Sequence, residues 1–365
     1  MSLEPKFSIR QKVGACIYDL PRFLWATRPP LFSHPSARPW AFFRNRGEQL
    51  LPAPNGLGLQ CDWQWTSDLH ITRVFPSLGR LFMSRALRDC PIGFQEKQSK
   101  QPGNIEASFI ISHRGLQRLP HLLLTLQSVA AQRKASFECI VVEQSATPEV
   151  KDFLPSWVRY IHTAMPSDGV PFCKAWAFNV GARLAHGKLL VLHDNEMLVP
   201  RDYASQHLAR VDEGYEVVDL KRFIFFLSQS HSERVMGKHE LLLDQAPESI
   251  MQNAPGGSLA ITRDAYLAIG GFDESFIGWG GEDNEFWERA KTRRVWPYGY
   301  LPLVHLWHPA QPGKLESNRS TAALFETRSR IPAAERIAEL TSRDFGNPRY
   351  APLNPAPNES SFVIA

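Results

Sequence analysis

Residues 105–143 read IEASFIISHRGLQRLPHLLLTLQSVAAQRKASFECIVVE, and this stretch decides the fold. Its ends, 105–112 and 137–143, are short apolar runs rich in branched side chains, which predicts two buried strands. Between them, 117–132 carries apolar residues at helical spacing, which predicts a helix. A strand, a helix and a second strand in succession are typical of a parallel α/β sheet.

The same alternation continues along the chain. Residues 157–163, 188–193 and 216–226 predict further strands, and 173–187 predicts a helix that ends at a glycine. Continuous apolar strands fit a sheet that is buried on both faces. The predicted fold class is therefore α/β, a mostly parallel sheet flanked by helices. No G-x-G-x-x-G or P-loop follows the first strand, which argues against a dinucleotide-binding dehydrogenase or a P-loop NTPase.

Composition indicates a folded, water-soluble protein. The 365 residues are 43% hydrophobic and 21% charged, close to the globular average. No apolar stretch approaches the ~20 residues that span a bilayer, and the N-terminus lacks the pattern of a secretory signal. We therefore expect a cytoplasmic protein. Five scattered cysteines without C-x-x-C spacing predict neither a disulfide framework nor a zinc site.

The first hundred residues differ in composition from the rest. They hold 14 Lys and Arg against 7 Asp and Glu, with Trp and Phe interleaved among the arginines. Such a segment suits peripheral contact with an anionic membrane at the inner face of the cell. The alternative is an extension that packs on the main domain with its arginines in solvent. No nucleic-acid partner is expected, because charge without a recognisable binding module does not indicate one.

We predict three parts of the chain from these patterns. Residues 1–100 form a basic, aromatic, Pro-rich N-terminal extension, 101–320 form the catalytic domain, and 321–365 form a C-terminal helix and a loose tail.

Two carboxylates follow the predicted strand 188–193, in the sequence Asp194-Asn195-Glu196. Open α/β sheets bind ligands beyond the carboxyl ends of their strands. Mg²⁺ and Mn²⁺ are commonly held there by one or two carboxylates together with substrate phosphates. The motif thus indicates a metal–diphosphate site, and the alternative is a helix cap.

A second motif, GWGGEDNEFW, occupies 278–287. Trp279 offers an apolar face for a sugar ring, and the paired glycines that follow allow a ligand to approach the backbone closely. Glu282 and Asp283 place adjacent carboxylates where a helix begins. A capped helix after a glycine turn is the structural alternative, since acidic residues favour first turns.

A third motif, VHLWHPAQPGK at 304–314, holds His305 and His308. An imidazole is a suitable further ligand for a manganese ion that a carboxylate already holds. An ordinary core or surface histidine is the alternative interpretation.

In this order the motifs resemble the metal-dependent GT-A glycosyltransferases, family-2-like, and among them the β-1,4-galactosyltransferases and bacterial chondroitin-polymerase-like enzymes. The resemblance spans 105–320. It is carried by FCKAWAFNVG (172–181), DNEMLVP (194–200), GGFDESFIGWGGEDNEF (270–286) and HPAQPGK (308–314). It implies the Rossmann-like GT-A architecture, to which the N-terminal extension is added.

The resemblance also implies roles for individual residues. Glu196 and His308, with help from Asp194, would hold Mn²⁺, or Mg²⁺ as the alternative. Glu196 stands where the family usually carries aspartate, and it reaches one methylene further. Asp283 would be the general base, and Glu282 its partner that binds the sugar or acceptor. The residues placed at the substrate are Trp279, Gly280, Gly281, Arg114, Glu143, Lys174, Asn179 and Asp194.

The implied activity is an inverting transfer of a sugar, galactose or N-acetylgalactosamine favoured, from a UDP-sugar to a glycan or lipid-linked glycan, in polysaccharide biosynthesis. Asp283 supports inversion, because similar retaining N-acetylgalactosaminyltransferases carry asparagine there and an amide is not a base. Two alternatives remain. One is a catalytically inactive relative that binds a sugar polymer or partner. The other is a nucleotidyltransferase, which has no need of the GWGGED motif.

Overall fold

The computed structural model describes residues 7–28, 38–63, 65–96, 103–310 and 320–348. The end of the third motif, 311–314, and the predicted tail after 348 lie outside these residues, as do parts of the basic segment. The strands are β1 (Leu50–Pro52), β2 (Leu59–Cys61), β3 (Ser67–Asp68), β4 (Ala107–His113), β5 (Phe137–Ser145), β6 (Arg159–Ala164), β7 (Leu189–His193), β8 (Met197–Leu198), β9 (Val217–Val218), β10 (Lys221–Phe226), β11 (Ser249–Gln252), β12 (Ser258–Thr262), β13 (Val295–Trp296) and β14 (Leu301–His305).

Helices cover both faces of the sheets. They are α1 (Ile9–Tyr18), α2 (Leu20–Thr27), α3 (His70–Val74), α4 (Pro76–Asp89), α5 (Leu119–Ala130), α6 (Lys174–Leu184), α7 (Tyr203–Asp212), α8 (Gln229–Lys238), α9 (Arg263–Ala268), α10 (Glu282–Ala290), α11 (Ser320–Ser329) and α12 (Ala333–Thr341). Where one C-terminal helix was predicted, two are present.

The stretch 105–143 forms the predicted unit β4–α5–β5. Its strands pair in parallel, with Ala107 opposite Phe137, and every residue of β4 is buried. Pro120 lies in the first turn of α5, where a missing N–H costs the helix no hydrogen bond. The local sequence pattern therefore determines this unit.

The main sheet has seven strands in the order β13-β9-β12-β7-β4-β5-β6. Strands β7, β4, β5 and β6 are parallel, whereas β12 runs antiparallel to both of its neighbours. The predicted fold class, a mostly parallel α/β sheet flanked by helices, is confirmed. A second sheet of five strands has the order β3-β11-β10-β14-β8 and lies beside the candidate site.

The prediction of one strand at 216–226 is wrong, because the chain changes sheets within it. β9 pairs in the seven-stranded sheet and β10 in the five-stranded sheet. Between them, Asp219 accepts hydrogen bonds from the backbone N–H and the ammonium of Lys221. An apolar run cannot reveal this crossing, because both halves are buried strands.

The described part of the N-terminal segment packs on the α/β part of the chain. Phe23, Trp40 and Phe82 are fully buried in the core that contains Phe223 of β10. Strand β3 pairs with β11 and so extends the five-stranded sheet. The domain boundary near residue 100 stays a prediction, but the described N-terminal residues and the α/β part share a core. Among the described helices, none has the length and apolar character needed to cross a membrane.

A buried histidine makes stability depend on pH. His207 on α7 is fully buried, and its Nδ1–H donates to the carbonyl of Tyr203 at 2.8 Å. Burial lowers the pKa of His207 from 6.5 to about 3. Because the unfolded chain binds this proton first, stability is lost as pH falls from about 6.5. We expect His207→Gln to reduce the fall in unfolding free energy between pH 7 and pH 5 by about 2 kcal/mol. Urea unfolding at pH 7 and pH 5 measures the unfolding free energy of both proteins. An equal decrease in the native protein and in His207→Gln would contradict the prediction.

Candidate active site

A carboxylate and two imidazoles converge at one end of the five-stranded sheet. β14 pairs with β8 so that His305 lies opposite Met197, and the carbonyl of Glu196 accepts from the backbone N–H of Leu306. This register places Glu196 Oε1 3.7 Å from Nε2 of His305 and 3.4 Å from Nε2 of His308. One ligand atom from each of the three residues lies within 4.8 Å of the others.

The chemistry of these three groups fits a divalent cation. His308 Nδ1 lies 2.7 Å from the carbonyl of Pro309, which can only accept, so Nδ1 carries a proton. In the neutral ring, Nε2 then presents a lone pair toward the Glu196 carboxylate. Two electron-rich atoms facing each other favour a cation between them, and fixing the far ring nitrogen is typical of histidine ligands. We call Glu196, His305 and His308 the metal cluster.

Electrostatics keep Glu196 ionised. Burial alone would raise the pKa of Glu196, but its contacts with His308 and His305 and the charge of Arg118 outweigh the effect of burial and lower that pKa well below its usual range. Arg118 Nη2 lies 3.7 Å from Glu196 Oε2. The carboxylate is therefore available as an anionic ligand at neutral pH.

A second cluster gathers around Lys174, the first residue of α6. Its Nζ donates to both carboxylate oxygens of Asp283, at 2.8 and 2.9 Å, and lies 2.9 Å from Glu282 Oε1. Asp194 Oδ1 is 3.7 Å away. The end of β7 and the starts of α6 and α10 meet here, so the cluster joins predicted residues from distant parts of the sequence. We call these four residues the lysine cluster.

The carboxylates of the lysine cluster raise the pKa of Lys174 and contribute to the raised pKa of Asp194. Burial lowers the pKa of Lys174, but Asp194, Asp283 and Glu282 outweigh it, and the pKa is raised well above its ordinary value. Burial and the nearby charges of Glu196, Asp283 and Glu282 raise the pKa of Asp194 to about 7, against the attraction of Lys174. A partly buried carboxyl surrounded by others, with a raised pKa, is typical of a functional site.

Glycines allow the second motif to approach the cluster. Gly281 caps α10 with a positive φ of 90°, which a larger residue would adopt only with strain. Trp279 is 38% exposed, and its carbonyl accepts from Thr321 Oγ1. Gly280 also has a positive φ. The motif thus presents Trp279 at the surface while α10 begins with Glu282 beside Lys174.

Gly256 provides a test of this packing. A Cβ at Gly256 would lie 2.2 Å from Asp283 Oδ2, so Gly256→Ala should displace the carboxylate and leave the backbone in place. If Asp283 is the general base that the resemblance implies, sugar transfer should fall about a hundredfold, since misplacing a catalytic group by about 1 Å has that effect. The measurement is sugar transfer from the nucleotide-sugar donor that the resemblance implies. Gly237→Ala is the matched control, because nothing lies within 4 Å of its added Cβ. Equal activity of both variants would show that the position of Asp283 does not matter.

Apart from Trp279, Gly280 and Gly281 of the second motif, three of the predicted substrate residues lie outside both clusters. Arg114 donates to the carbonyls of Gln144 and Val170. Glu143 is fully buried and accepts from Tyr160 and from the backbone N–H of Glu149. These two side chains hold the loops that follow β4 and β5, and their placement at the nucleotide stays a prediction.

Asn179, the third of them, is bound within the protein. It is fully buried, donates to the carbonyl of Phe272 and to Glu274, and accepts from Tyr266. Asn179 thus links α6 to the segment before the second motif, and its placement at the nucleotide sugar stays a prediction.

Asp194 lies apart from the three groups whose ligand atoms converge. Its carboxylate faces Lys174, whereas Glu196, two residues on, faces the histidines. A turn joins β7 to β8, so residues i and i+2 need not point the same way. Its role as a metal ligand stays a prediction.

Two residues that lie beside Glu196 in the structure, His305 and Arg118, were not assigned to the metal site from the sequence. His305 belongs to the H-x-x-H spacing of the third motif, and that spacing was its signal. Arg118 had no signal, because it lies in the turn before α5, far from Glu196 in sequence. Arg118 Nη1 is buried without a hydrogen-bond partner among the described residues.

Comparison with known families places the clusters in context. Residues 110–269 match the model described as glycosyl transferase family 2, and residues 246–296 match the model described as N-terminal domain of galactosyltransferase. Both clusters lie in this matched part except for the two histidines. The predicted resemblance to family-2-like GT-A glycosyltransferases is confirmed, and the matches support a glycosyltransferase. No curated protein matches the chain.

Two solved structures are similar at low sequence identity. One is the catalytic domain of Drosophila β1,4-galactosyltransferase 7 in complex with xylobiose, at 12% identity and a TM-score of 0.38, covering 63% of this chain and 83% of that one. The other is GalNAc-T7 with UDP, GalNAc and Mn²⁺, at 14% identity and a TM-score of 0.45. The second similarity covers 64% of this chain and half of that one.

Proposed function

We propose that this protein, whose sequence resembles family-2-like GT-A glycosyltransferases, is a metal-dependent, inverting glycosyltransferase. It transfers a sugar, galactose or N-acetylgalactosamine favoured, from a UDP-sugar to a hydroxyl of a glycan acceptor. The observation that carries the proposal is the adjacency of the two clusters. Asp194 and Glu196, two residues apart, point respectively to Lys174 and to the histidines.

The metal cluster serves the leaving group. Glu196, His305 and His308 would hold Mn²⁺, or Mg²⁺ as the alternative, and the bound ion supplies Lewis-acid stabilisation of the departing diphosphate. Arg118 lies on the other side of Glu196 with a buried, unpartnered Nη1 in the described structure. A guanidinium in that position offers a diphosphate oxygen a charge-assisted hydrogen bond.

The lysine cluster serves the acceptor. Asp283 would accept the proton of the attacking hydroxyl as the new bond to the anomeric carbon forms and the bond to the diphosphate breaks. A single displacement of this kind inverts the anomeric configuration. Lys174 orients the carboxylate of Asp283 before the reaction, because its Nζ lies 2.8 Å from Asp283 Oδ2. It must yield one carboxylate oxygen to the acceptor.

Glu282 has a separate part in acceptor binding. One of its oxygens pairs with Lys174, and the other, Oε2, is buried with no hydrogen-bond partner in the described part of the chain. An acceptor hydroxyl would satisfy that oxygen, because a buried carboxylate oxygen without a partner is costly. Trp279, with Gly280 and Gly281, would present an apolar face to the sugar.

The N-terminal segment supports a proposal for location. Ile9, Val13 and Ile17 are exposed along one face of α1, with Arg10 and Lys12 beside them. We propose a cytoplasmic protein whose α1 face contacts the inner face of the membrane, where a lipid-linked glycan acceptor would lie. Co-sedimentation with anionic vesicles, and its loss in Val13→Asp, tests this contact.

Calorimetric titration with a panel of nucleotide sugars, first with Mn²⁺ and then with EDTA, tests the proposed function. Metal-dependent binding of one UDP-sugar would support the donor class and the metal cluster together. If the folded protein binds no member of the panel, the catalytically inactive, sugar- or partner-binding alternative becomes the better explanation.

A further inference from the structure

A cavity of about 270 Å³ lies against the metal cluster. His305 and His308 form one of its walls. Its other lining residues lie in β3, β10, β11 and α3 or in the loops that adjoin the strands, and they include Asp68, Arg73, Phe226, Glu248, Ser249 and Met251. None of the four residues of the lysine cluster lines it. The cavity is therefore next to the proposed reaction centre and separate from the general base.

Strand register explains how these residues share one surface. His305 of β14 lies opposite Phe226 of β10, which lies opposite Ser249 of β11. The rings of Phe226 and His305 stack at a centroid distance of 4.4 Å. Met251, two residues after Ser249, points to the same face and lies opposite Asp68 of β3. A continuous floor thus runs from the metal cluster to the N-terminal segment.

Buried hydrogen bonds hold the N-terminal segment against the strands that form this surface. Gln252 of β11 donates to Ser67 Oγ at 2.8 Å and to Glu48, and Ser67 Oγ donates to Glu48 at 2.8 Å. Arg222 donates to Gln252 and to the carbonyl of Phe43. Because the segment is held by a hydrogen-bonded network in the core, it forms a fixed wall of the cavity.

The lining has the chemistry of a sugar site. Phe226 and Trp307 supply aromatic surface for the C–H face of a ring, and the carboxylates of Asp68 and Glu248 can accept hydrogen bonds from hydroxyls. Asp68 is held in place by Arg73 at 3.1 Å and by the backbone N–H of Ile250. The volume is below the range of about 300–1,000 Å³ for drug-sized ligands, which limits the occupant to about one ring.

Charge limits the kind of sugar that the cavity can hold. Two carboxylates, Asp68 and Glu248, against one guanidinium, Arg73, disfavour an acidic sugar on this side of the cavity. We propose that this cavity binds one neutral sugar ring of the acceptor glycan, a unit next to the one that reacts, and that the N-terminal segment thereby selects the acceptor. This inference rests on the proposed function, because the bound sugar is an acceptor only if the protein transfers sugars.

Saturation-transfer NMR on the full chain tests the cavity without requiring turnover. The probes are methyl β-D-glucoside, methyl β-D-galactoside and methyl N-acetyl-β-D-glucosaminide. We expect at least one to bind, and Ser249→Tyr, which fills the cavity, to lower its affinity by about tenfold or more. Asp68→Asn keeps the size of the side chain and should lower the affinity about threefold to tenfold. Asp264→Asn, in a separate cavity that shares no lining residue with this one, is the matched control.

Mn²⁺ then separates the two proposals. If the metal cluster binds Mn²⁺ and the cavity binds the glycoside, the unpaired electrons of Mn²⁺ should broaden the resonances of the bound glycoside. Mg²⁺, which has no unpaired electrons, should not broaden them. Glycoside binding that both variants weaken, without broadening by Mn²⁺, would support the cavity and count against the metal cluster. No binding of any probe, or binding that Ser249→Tyr and Asp68→Asn leave unchanged, would overturn the inference whatever the metal does.

Discussion

Replacing Asp283 by asparagine should abolish sugar transfer while leaving nucleotide-sugar binding nearly intact. The amide has almost the same size and can still accept a hydrogen bond from Lys174, but it cannot take up the proton of the acceptor hydroxyl. General-base catalysis contributes about 10²–10⁴-fold, so we expect a loss of that order. UDP release in the presence of acceptor measures turnover, and calorimetry measures donor binding.

The neighbouring position supplies a control for Asp283→Asn. Asn284 is exposed on the same turn of α10, so Asn284→Ala should change neither quantity. An Asp283→Asn protein with most of its activity would exclude Asp283 as the base. A protein that loses donor binding as well would show that Asp283 acts on the donor and would require a different division of labour in the lysine cluster.

Replacing Glu196 by alanine should remove metal binding and, with it, metal-dependent donor binding. The change deletes the anionic ligand of the metal cluster and leaves two imidazoles beside Arg118, whose positive charge then repels a cation. We expect the affinity for Mn²⁺ to fall by about a hundredfold or more. Calorimetry with Mn²⁺ alone, and then with the UDP-sugar, measures both effects.

Two further substitutions, one intermediate variant and one control, make the result for Glu196→Ala interpretable. Glu196→Asp shortens the carboxylate by one methylene, so it should bind Mn²⁺ more weakly than the native protein and more tightly than Glu196→Ala. Asp152→Ala removes an exposed carboxylate and should have no effect. Unchanged Mn²⁺ affinity in Glu196→Ala would remove Glu196 from the metal site.

The sequence predicted the elements that depend on local pattern. Strands β4, β5, β6 and β7 and helices α5 and α6 lie where apolar periodicity indicated them, within a few residues. The sequence also indicated the positions of Asp194, Glu196 and Asp283 at the ends of elements, because chemistry in α/β sheets concentrates where strands end.

The local sequence pattern did not predict where neighbouring residues of one apolar run join different sheets. The run 216–226 predicts one strand, yet its halves join different sheets, and only the pairing of β9 with β12 and of β10 with β14 separates them. Similarly, nothing near Asn179 indicates that its amide is used up by Phe272, Glu274 and Tyr266. Polar residues in a motif can serve either the ligand or the fold.

The sequence by itself therefore determined the class of fold, the order of the motifs and the chemical types of the groups that the proposed reaction needs. The tertiary structure decided which of those groups meet. It brought His305 and Arg118 to Glu196, set Lys174 among three carboxylates, and made β3 of the N-terminal segment an edge of the sheet that carries the metal cluster. The physical reason is that helices and strands follow from contacts between near neighbours in the chain, whereas strand register and charge pairing depend on residues from different elements that only folding brings together.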